Sequence, residues 1–335
     1  MANPIIAEVT RGGRVESVHR GAFIVLDGHG KTLMQAGDTG ARTYPRSSMK
    51  LLQALVAVEC GAAQKYTDAQ LALLCASHSS MSKHVSGVDD MLAIHTLSER
   101  DLACGAHWPL YRTDDVVTRA RQSGEAPNRA WNTCSGKHAG FLSACVACGH
   151  DTAGYCAPTH PIQKTVRGVV EAMCDTTIGE AETSFDGCSA PTFAMPLENL
   201  ALGFNRAFTG RALEPSRHAA ARQLTQACMK EPWFVAGDNR SCTTLMEAGQ
   251  GRVFAKFGAE GVYVAGVPDL GIAMAMKCDD GATRAVEVLV AALLAHALTE
   301  QNEHPLAEAL QALARQDVKT HAGELVGVVR ASVDA

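Results

Sequence analysis

A serine and a lysine stand three residues apart in the segment Pro45-Arg46-Ser47-Ser48-Met49-Lys50, just ahead of an apolar run. At the start of a helix, Ser47 and Lys50 would share one face. A helix N-terminus offers free backbone N–H groups and the positive end of the dipole. A serine there can attack a carbonyl carbon, and its own N–H can help hold the oxyanion. The hydroxyl needs a base, and lysine serves when burial or a second cation keeps it neutral. That is the logic of the Ser-x-x-Lys motif. On spacing alone, the commoner meaning of such a pair is a serine cap beside a solvated lysine.

Two further segments bear on the choice. Cys75-Ala76-Ser77-His78-Ser79-Ser80 gathers small hydroxyl residues around a histidine after an apolar stretch. Its plain alternative is a polar helix terminus, and His78 reads equally as site-lining or as a satisfied helix-end residue. Lys256-Phe257-Gly258 ends an apolar run, where Ser-x-x-Lys hydrolases carry a Lys-Thr-Gly strand. Its alternative is an edge-strand lysine before a turn. In chain order the three segments resemble the serine β-lactamase and penicillin-binding-protein architecture, to which bacterial glutaminases also belong.

The elements that must position these residues follow from periodicity. Ile5–Thr10, Val15–Val18 and Ala22–Leu26 are short alternating runs split by Gly12-Gly13 and Asp27-Gly28-His29-Gly30. Leu51, Leu52, Leu55, Val56 and Val58 fall at helical spacing, which predicts a helix over 47–59, broken near Gly61. A second short helix covers 68–75, capped by Thr67 or Asp68. Residues 84–230 read as mainly helical. Strands return at 253–257, 261–267 and 271–276, and a long amphipathic helix spans 282–300. Grouped rather than alternating elements predict an α+β fold. Its mixed sheet would be built from both termini, with a helical subdomain inserted. We expect one catalytic unit over 1–335, with sheet portions 1–45 and 250–335 and a mainly helical portion 46–249 carrying most site loops.

The bulk numbers exclude some classes. A net charge of −5, with scattered Lys and Arg, argues against nucleic acid and against a polybasic membrane anchor. The longest apolar stretch, Val288–Leu298, is too short to span a bilayer. No signal-type N-terminus is evident, so the twelve cysteines read as reduced thiols and the expected compartment is the cytoplasm.

Longer strings are more specific. They are Pro45-Arg46-Ser47-Ser48-Met49-Lys50-Leu51-Leu52-Gln53-Ala54-Leu55, Cys75-Ala76-Ser77-His78-Ser79, Asn132-Thr133-Cys134-Ser135-Gly136-Lys137-His138-Ala139-Gly140-Phe141, Asp186-Gly187-Cys188-Ser189-Ala190-Pro191-Thr192-Phe193 and Lys256-Phe257-Gly258-Ala259-Glu260-Gly261-Val262-Tyr263. This set resembles the rhizobial-type (class 3) L-asparaginases over nearly the whole chain. The resemblance implies a β-lactamase- and glutaminase-like fold, hydrolysis of L-asparagine to L-aspartate and ammonia, and a homodimer. It implies two Ser–Lys tandems, Ser47 with Lys50 and Ser79 with Lys256. We expect an acyl-enzyme route with Ser47 attacking and Lys50 as base. Ser79 would relay protons, and Lys256 would keep Lys50 neutral by like-charge repulsion. Arg46 and His138 are candidates for the substrate carboxylate or amide, and Asp186 for its amino group or for orienting a lysine. Two departures stand out: Ser80-Met81-Ser82-Lys83 where family members often carry an acidic residue, and Phe257 in place of a small residue.

The same resemblance implies a zinc site formed by Cys134, Lys137 and Cys188. Thiolates are good zinc ligands, whereas lysine is rare in that role and must be deprotonated. Cys145-Val146-Ala147-Cys148-Gly149-His150, followed by Cys156 and His160, has finger-like spacing. Cys145 and Cys148, however, continue a helix among Phe141, Leu142 and Val146, which favours buried structural thiols. His160-Pro161 reads as a helix-starting turn, and Asn239–Thr243 as a pocket edge or a turn. Other functions fit parts of the pattern. A glutaminase or other small-amide hydrolase differs by one methylene of substrate. A penicillin-recognising enzyme lacks its Ser-Asp-Asn-like element here. A cysteine-rich, zinc-binding redox sensor would show reactive thiols and no amidase activity.

Overall fold

The structure is a computed structural model, and it describes residues 2–111 and 114–332. It divides into two compact units, one of residues 1–49, 195–211 and 244–335, the other of 50–194 and 212–243.

The first unit is organised by an eight-stranded sheet. Its order runs Arg315–Lys319, Leu325–Ala331, Ile5–Arg11, Arg14–Leu26, Ile272–Cys278, Val262–Val267, Phe254–Gly258, and Thr32–Ala36 also pairs with Arg14–Leu26. Both termini supply strands, as the α+β reading expects. Every registered pair is antiparallel, so the expectation of mixed strand direction is corrected: hairpins and returns join these strands. The runs at 15–18 and 22–26 belong to one 13-residue strand. Along one edge its first half meets Ile5–Arg11 and its second half Thr32–Ala36. Strand Val262–Val267 is buried at every position, which requires cover on both faces. Helices Leu197–Thr209 and Thr283–Glu300 both pack on this sheet. A middle segment, 195–211, therefore joins the sheet half, since its apolar face is buried there. The last two strands escape the sequence reading because Arg315–Lys319 is polar and alternates exposed with half-buried positions.

The second unit is helical. Helix Lys50–Glu59 is buried from Lys50 through Ala57 and packs against helices Ser135–Ala147, Pro161–Cys174 and Pro215–Lys230. Helix Asp68–Leu74 is capped by Thr67, whose side chain accepts from Gln70 N–H while the Gln70 side chain returns to the Thr67 backbone. His160 caps helix Pro161–Cys174 with proline at its first turn, as the sequence suggests. Residues 47–59 do not form a single α-helix. A 3-10 turn, Arg46–Met49, precedes the α-helix that begins at Lys50. Among the described residues no helix is long and apolar enough to cross a membrane.

Candidate active site

In the first unit, Ser47 lies in the Arg46–Met49 turn, which packs against strands Phe254–Gly258 and Val262–Val267. The two adjacent serines are not equivalent. Ser48 is fully buried and donates its hydroxyl proton to Pro45 O at 2.7 Å. Ser47 is half-buried, and among the described residues no hydrogen bond holds its hydroxyl. Arg46 adopts φ +53°, a left-handed conformation that costs a non-glycine residue about 1 kcal/mol or more. Gly258 allows the turn to come this close. A Cβ there would sit 2.6 Å from Pro45 O and 3.0 Å from Ser48 N. That contact explains the glycine of Lys256-Phe257-Gly258 in physical terms. Lys256 is fully buried in the same strand, and its Nζ donates to Phe257 O at 2.7 Å.

In the second unit, Lys50 is 1% exposed, unusual for a lysine without a partner. Its Nζ lies 2.5 Å from Ala76 O, 3.1 Å from Ser77 Oγ and 3.2 Å from Cys134 Sγ. Ser77, passed over in the sequence reading in favour of Ser79, is the serine that meets Lys50.

Cys134 and Cys188, distant in the chain, meet beside Lys137. Lys137 Nζ lies 3.3 Å from Cys188 Sγ, and Lys50 Nζ lies 3.2 Å from Cys134 Sγ. The Cys134 hydrogen bond and the Lys137 charge outweigh burial and hold Cys188 down at about 4, with help from the Ala190 N–H. The Cys134 thiol is pushed up, first by serving as donor to Cys188 and then by burial. Burial works to lower the Lys137 ammonium, but the sulfurs and Asp186 overcome it and hold it above the ordinary lysine range. This cluster of two sulfurs and one amine is chemically a metal-donor set.

His138 is fully buried on the same helix as Lys137. Tyr155 OH accepts the Ala103 N–H at 2.9 Å and is hydrogen-bonded to His138 Nδ1 at 2.7 Å. The ring's other nitrogen, Nε2, is buried without a partner among the described residues. Burial, with the Lys137 charge, pushes His138 well below its usual range and keeps it neutral. Asp186 opens a tight turn closed by Asp186 N–H to Ala190 O at 2.9 Å, which brings Cys188 inward.

Ser79 is buried and donates to Ala236 O at 2.7 Å, not to Lys50. Gly237 at φ +111° backs it, and a Cβ there would lie 2.6 Å from Ser79 Oγ. His78 fixes the loop through a defined tautomer. Its Nδ1 accepts the Ser80 N–H at 3.1 Å, and its Nε2–H reaches Ser135 Oγ at 2.8 Å, which itself donates to Ala130 O. The balance left open for His78 therefore tips towards a satisfied buried histidine. His84 stacks on Trp233 at 4.0 Å, accepts the Met81 N–H and donates to Trp233 O.

Burial pushes His84 down to about 4. The unfolded chain then binds a proton between pH 6.5 and 4 that the folded chain refuses. The folded state keeps its full stability from this group above pH 6.5 and loses about 3 kcal/mol as pH falls to 4. Urea midpoints of wild type and His84→Gln between pH 7 and 4 should differ in slope by that amount. Equal slopes would sink the assignment.

The structure thus joins Lys50, Cys134, Lys137, Cys188 and His138 in one unit, and the Ser47 turn with the Lys256 strand in the other. Tyr155 was missed because nothing local marks it. Arg240 stacks over the Tyr111 ring at 3.3 Å, and Thr243 Oγ1 donates to Gly237 O, so the 239–243 segment is a turn at Asn239 that runs into the start of helix Ser241–Ala248. A further group, His19, Cys278 and Asp280, meets in the first unit. Arg284 Nε donates to His19 Nε2, so Nδ1–H gives to Asp280, and the Cys278 thiol donates to Asp280 as well. Its ligating atoms are already engaged with each other and with an arginine, which is a structural network.

A model of the family described as L-asparaginase II matches residues 7–331. No curated protein matches the chain. Among solved structures, the chain is similar to a β-lactamase from Mycobacterium bovis at 16% identity and a TM-score of 0.42, covering 84% of this chain and 94% of that one. It is also similar to a candidate β-lactamase from Bacteroides dorei at 12% identity and a TM-score of 0.42, covering 81% and 92%.

Proposed function

Since the chain belongs to the L-asparaginase II family and hydrolyses L-asparagine to L-aspartate and ammonia, we propose that it does so by double displacement from Ser47, with Lys50 as the base. The observation that supports this choice is the contrast at the turn: Ser48 is tied to Pro45 O while the Ser47 hydroxyl is held by no described residue. Ser47 Oγ attacks the side-chain carboxamide carbon and passes its proton to Lys50. That proton goes to the nitrogen as ammonia leaves, and water then splits the acyl ester and restores the serine. Ser79 and Lys256 form the second pair and relay protons. The unpartnered Nε2 of His138 suits the substrate carboxylate or amide, with Arg46 beside Ser47 in sequence as the second candidate. Asp186 takes the substrate amino group. The two units work as one catalytic chain, as a homodimer in the cytoplasm; light scattering should return twice the chain mass.

Cys134, Lys137 and Cys188 fit zinc. Cys188 is held as thiolate, and Lys137 Nζ lies 3.3 Å from its sulfur, so the two donor atoms stand together and would hold the ion with Cys134. To hold the ion, Lys137 and Cys134 would each have to give up a proton. Zinc bound there would supply a Lewis acid. Elemental analysis of protein purified without chelator should find about one zinc per chain, lost in Cys188→Ala. Wild-type protein devoid of zinc would rule the site out.

Glutamine is the second substrate to test, since one methylene is worth only about 1–3 kcal/mol of discrimination. Ammonia release should favour asparagine, and a preference for glutamine would reassign the substrate.

A further inference from the structure

Helix Ser135–Ala147, which carries Lys137 and His138, is joined to helix Pro161–Cys174 by a connection that folds on itself. Ala153 N–H donates to Asp151 Oδ1 at 2.9 Å, Ala157 N–H to Gly154 O at 2.8 Å and His160 N–H to Ala157 O at 2.9 Å. Of residues 151–160 only Tyr155 is buried. A buried phenol needs partners for its hydroxyl, and Tyr155 has two. Its oxygen takes the Ala103 N–H at 2.9 Å and meets His138 Nδ1 at 2.7 Å. The donor at Ala103 is itself held on both sides, since Arg129 donates to Leu102 O at 2.9 Å and Asn132 Nδ2 to Gly105 O at 3.0 Å. The Tyr155 ring also stands edge-on to the imidazole, with centroids 5.6 Å apart, and Phe141 does so at 6.0 Å. Cys156 Sγ lies 3.8 Å from the same Nδ1, a weaker contact because sulfur is a poor hydrogen-bonding partner.

We propose that Tyr155 is a positioning residue: by holding Nδ1 it aims Nε2 of His138 at the substrate. The proposal rests on the reading that His138 touches the substrate. An imidazole can turn over about its last side-chain bond and exchange the places of its two polar sides. The hydrogen bond at Nδ1 and the two ring contacts remove that freedom. What they leave is Nε2, buried and without a partner among the described residues. A side chain already fixed loses little further freedom when a ligand binds, whereas a loose one has to be ordered at a cost in affinity. The chain from Ala103 through Tyr155 to His138 therefore sets the ring before asparagine arrives.

The test is a double-mutant cycle on ammonia release from asparagine, with melting temperatures measured alongside. Tyr155→Phe keeps the ring and removes the hydroxyl, and its kcat/KM should fall about tenfold, the effect of one hydrogen bond. His138→Ala should fall further. Because Tyr155 acts through His138, the double variant should be no worse than His138→Ala alone, within about twofold. A merely structural phenol would lower the melting temperature of Tyr155→Phe and leave kcat/KM within about twofold of wild type. That result overturns the proposal, and so does a double variant whose two losses multiply. If His138→Ala turns over asparagine as wild type does, the reading of His138 as a substrate contact fails and takes the proposal with it. A second measurement needs no variant: the imidazole nitrogen NMR shifts of His138 in wild type as L-aspartate is added. Nε2 should move while Nδ1 stays. A silent Nε2, or a shift at Nδ1 alone, overturns the proposal.

Discussion

Ser47→Ala should lower kcat for asparagine by about 10³-fold or more, while Ser48→Ala keeps it within several-fold. The two serines are neighbours in one short turn, so the pair separates chemistry from packing. Ser48 is buried with its proton on Pro45 O, and losing that bond leaves the carbonyl without a donor, at about 1 kcal/mol of stability. Ser47 is half-buried with its hydroxyl unheld by described residues, and it follows a left-handed Arg46. Strain of that kind persists only where surrounding structure imposes it. Here the turn is pressed onto the strand ending at Gly258. Removing the nucleophile removes the covalent route altogether, whereas removing the Ser48 hydroxyl loosens the turn. Ammonia-release kinetics and urea midpoints on both variants decide the matter. Turnover by Ser47→Ala within tenfold of wild type would reject Ser47 as nucleophile.

Lys50→Met should lower kcat by a similar factor, about 10³-fold, because it removes the proposed base but keeps the buried stem volume. Its structural effect is separable. Ala76 O, Ser77 Oγ and Cys134 Sγ each lose a donor, so stability should fall by about 1–3 kcal/mol. The Lys50 charge also helps to hold both site sulfurs down. In apo protein, the alkylation pH profile of Cys188 should therefore move upward from about 4 in the methionine variant. A purely structural lysine would show the stability loss with turnover nearly intact, and that result would end its assignment as base.

Much of this protein was legible in its sequence because the relevant codes are local. Helical spacing of Leu51, Leu52, Leu55 and Val56 locates the buried helix, and Thr67 marks a cap. Alternation and glycine turns locate the strands of 5–26 and 253–276, and long strings such as Cys134–Phe141 carry the family. Tertiary structure decided what depends on contacts between distant segments. No spacing states that Lys50 meets Ser77 and Cys134, or that Tyr155 is hydrogen-bonded to His138. Nor does spacing distinguish Cys148, exposed at a helix end, from Cys145, buried one turn earlier. Ser47 and Lys50 looked like the opening of one α-helix. The fold instead puts a 3-10 turn at Arg46–Met49 and starts the α-helix at Lys50, because packing against the Gly258 strand tightens the turn there. The sequence determined by itself which residue types stand near that helix start. Only the packed structure decided which serine is free and which partners stabilise a buried lysine, since burial makes a charge depend on groups that no local pattern contains.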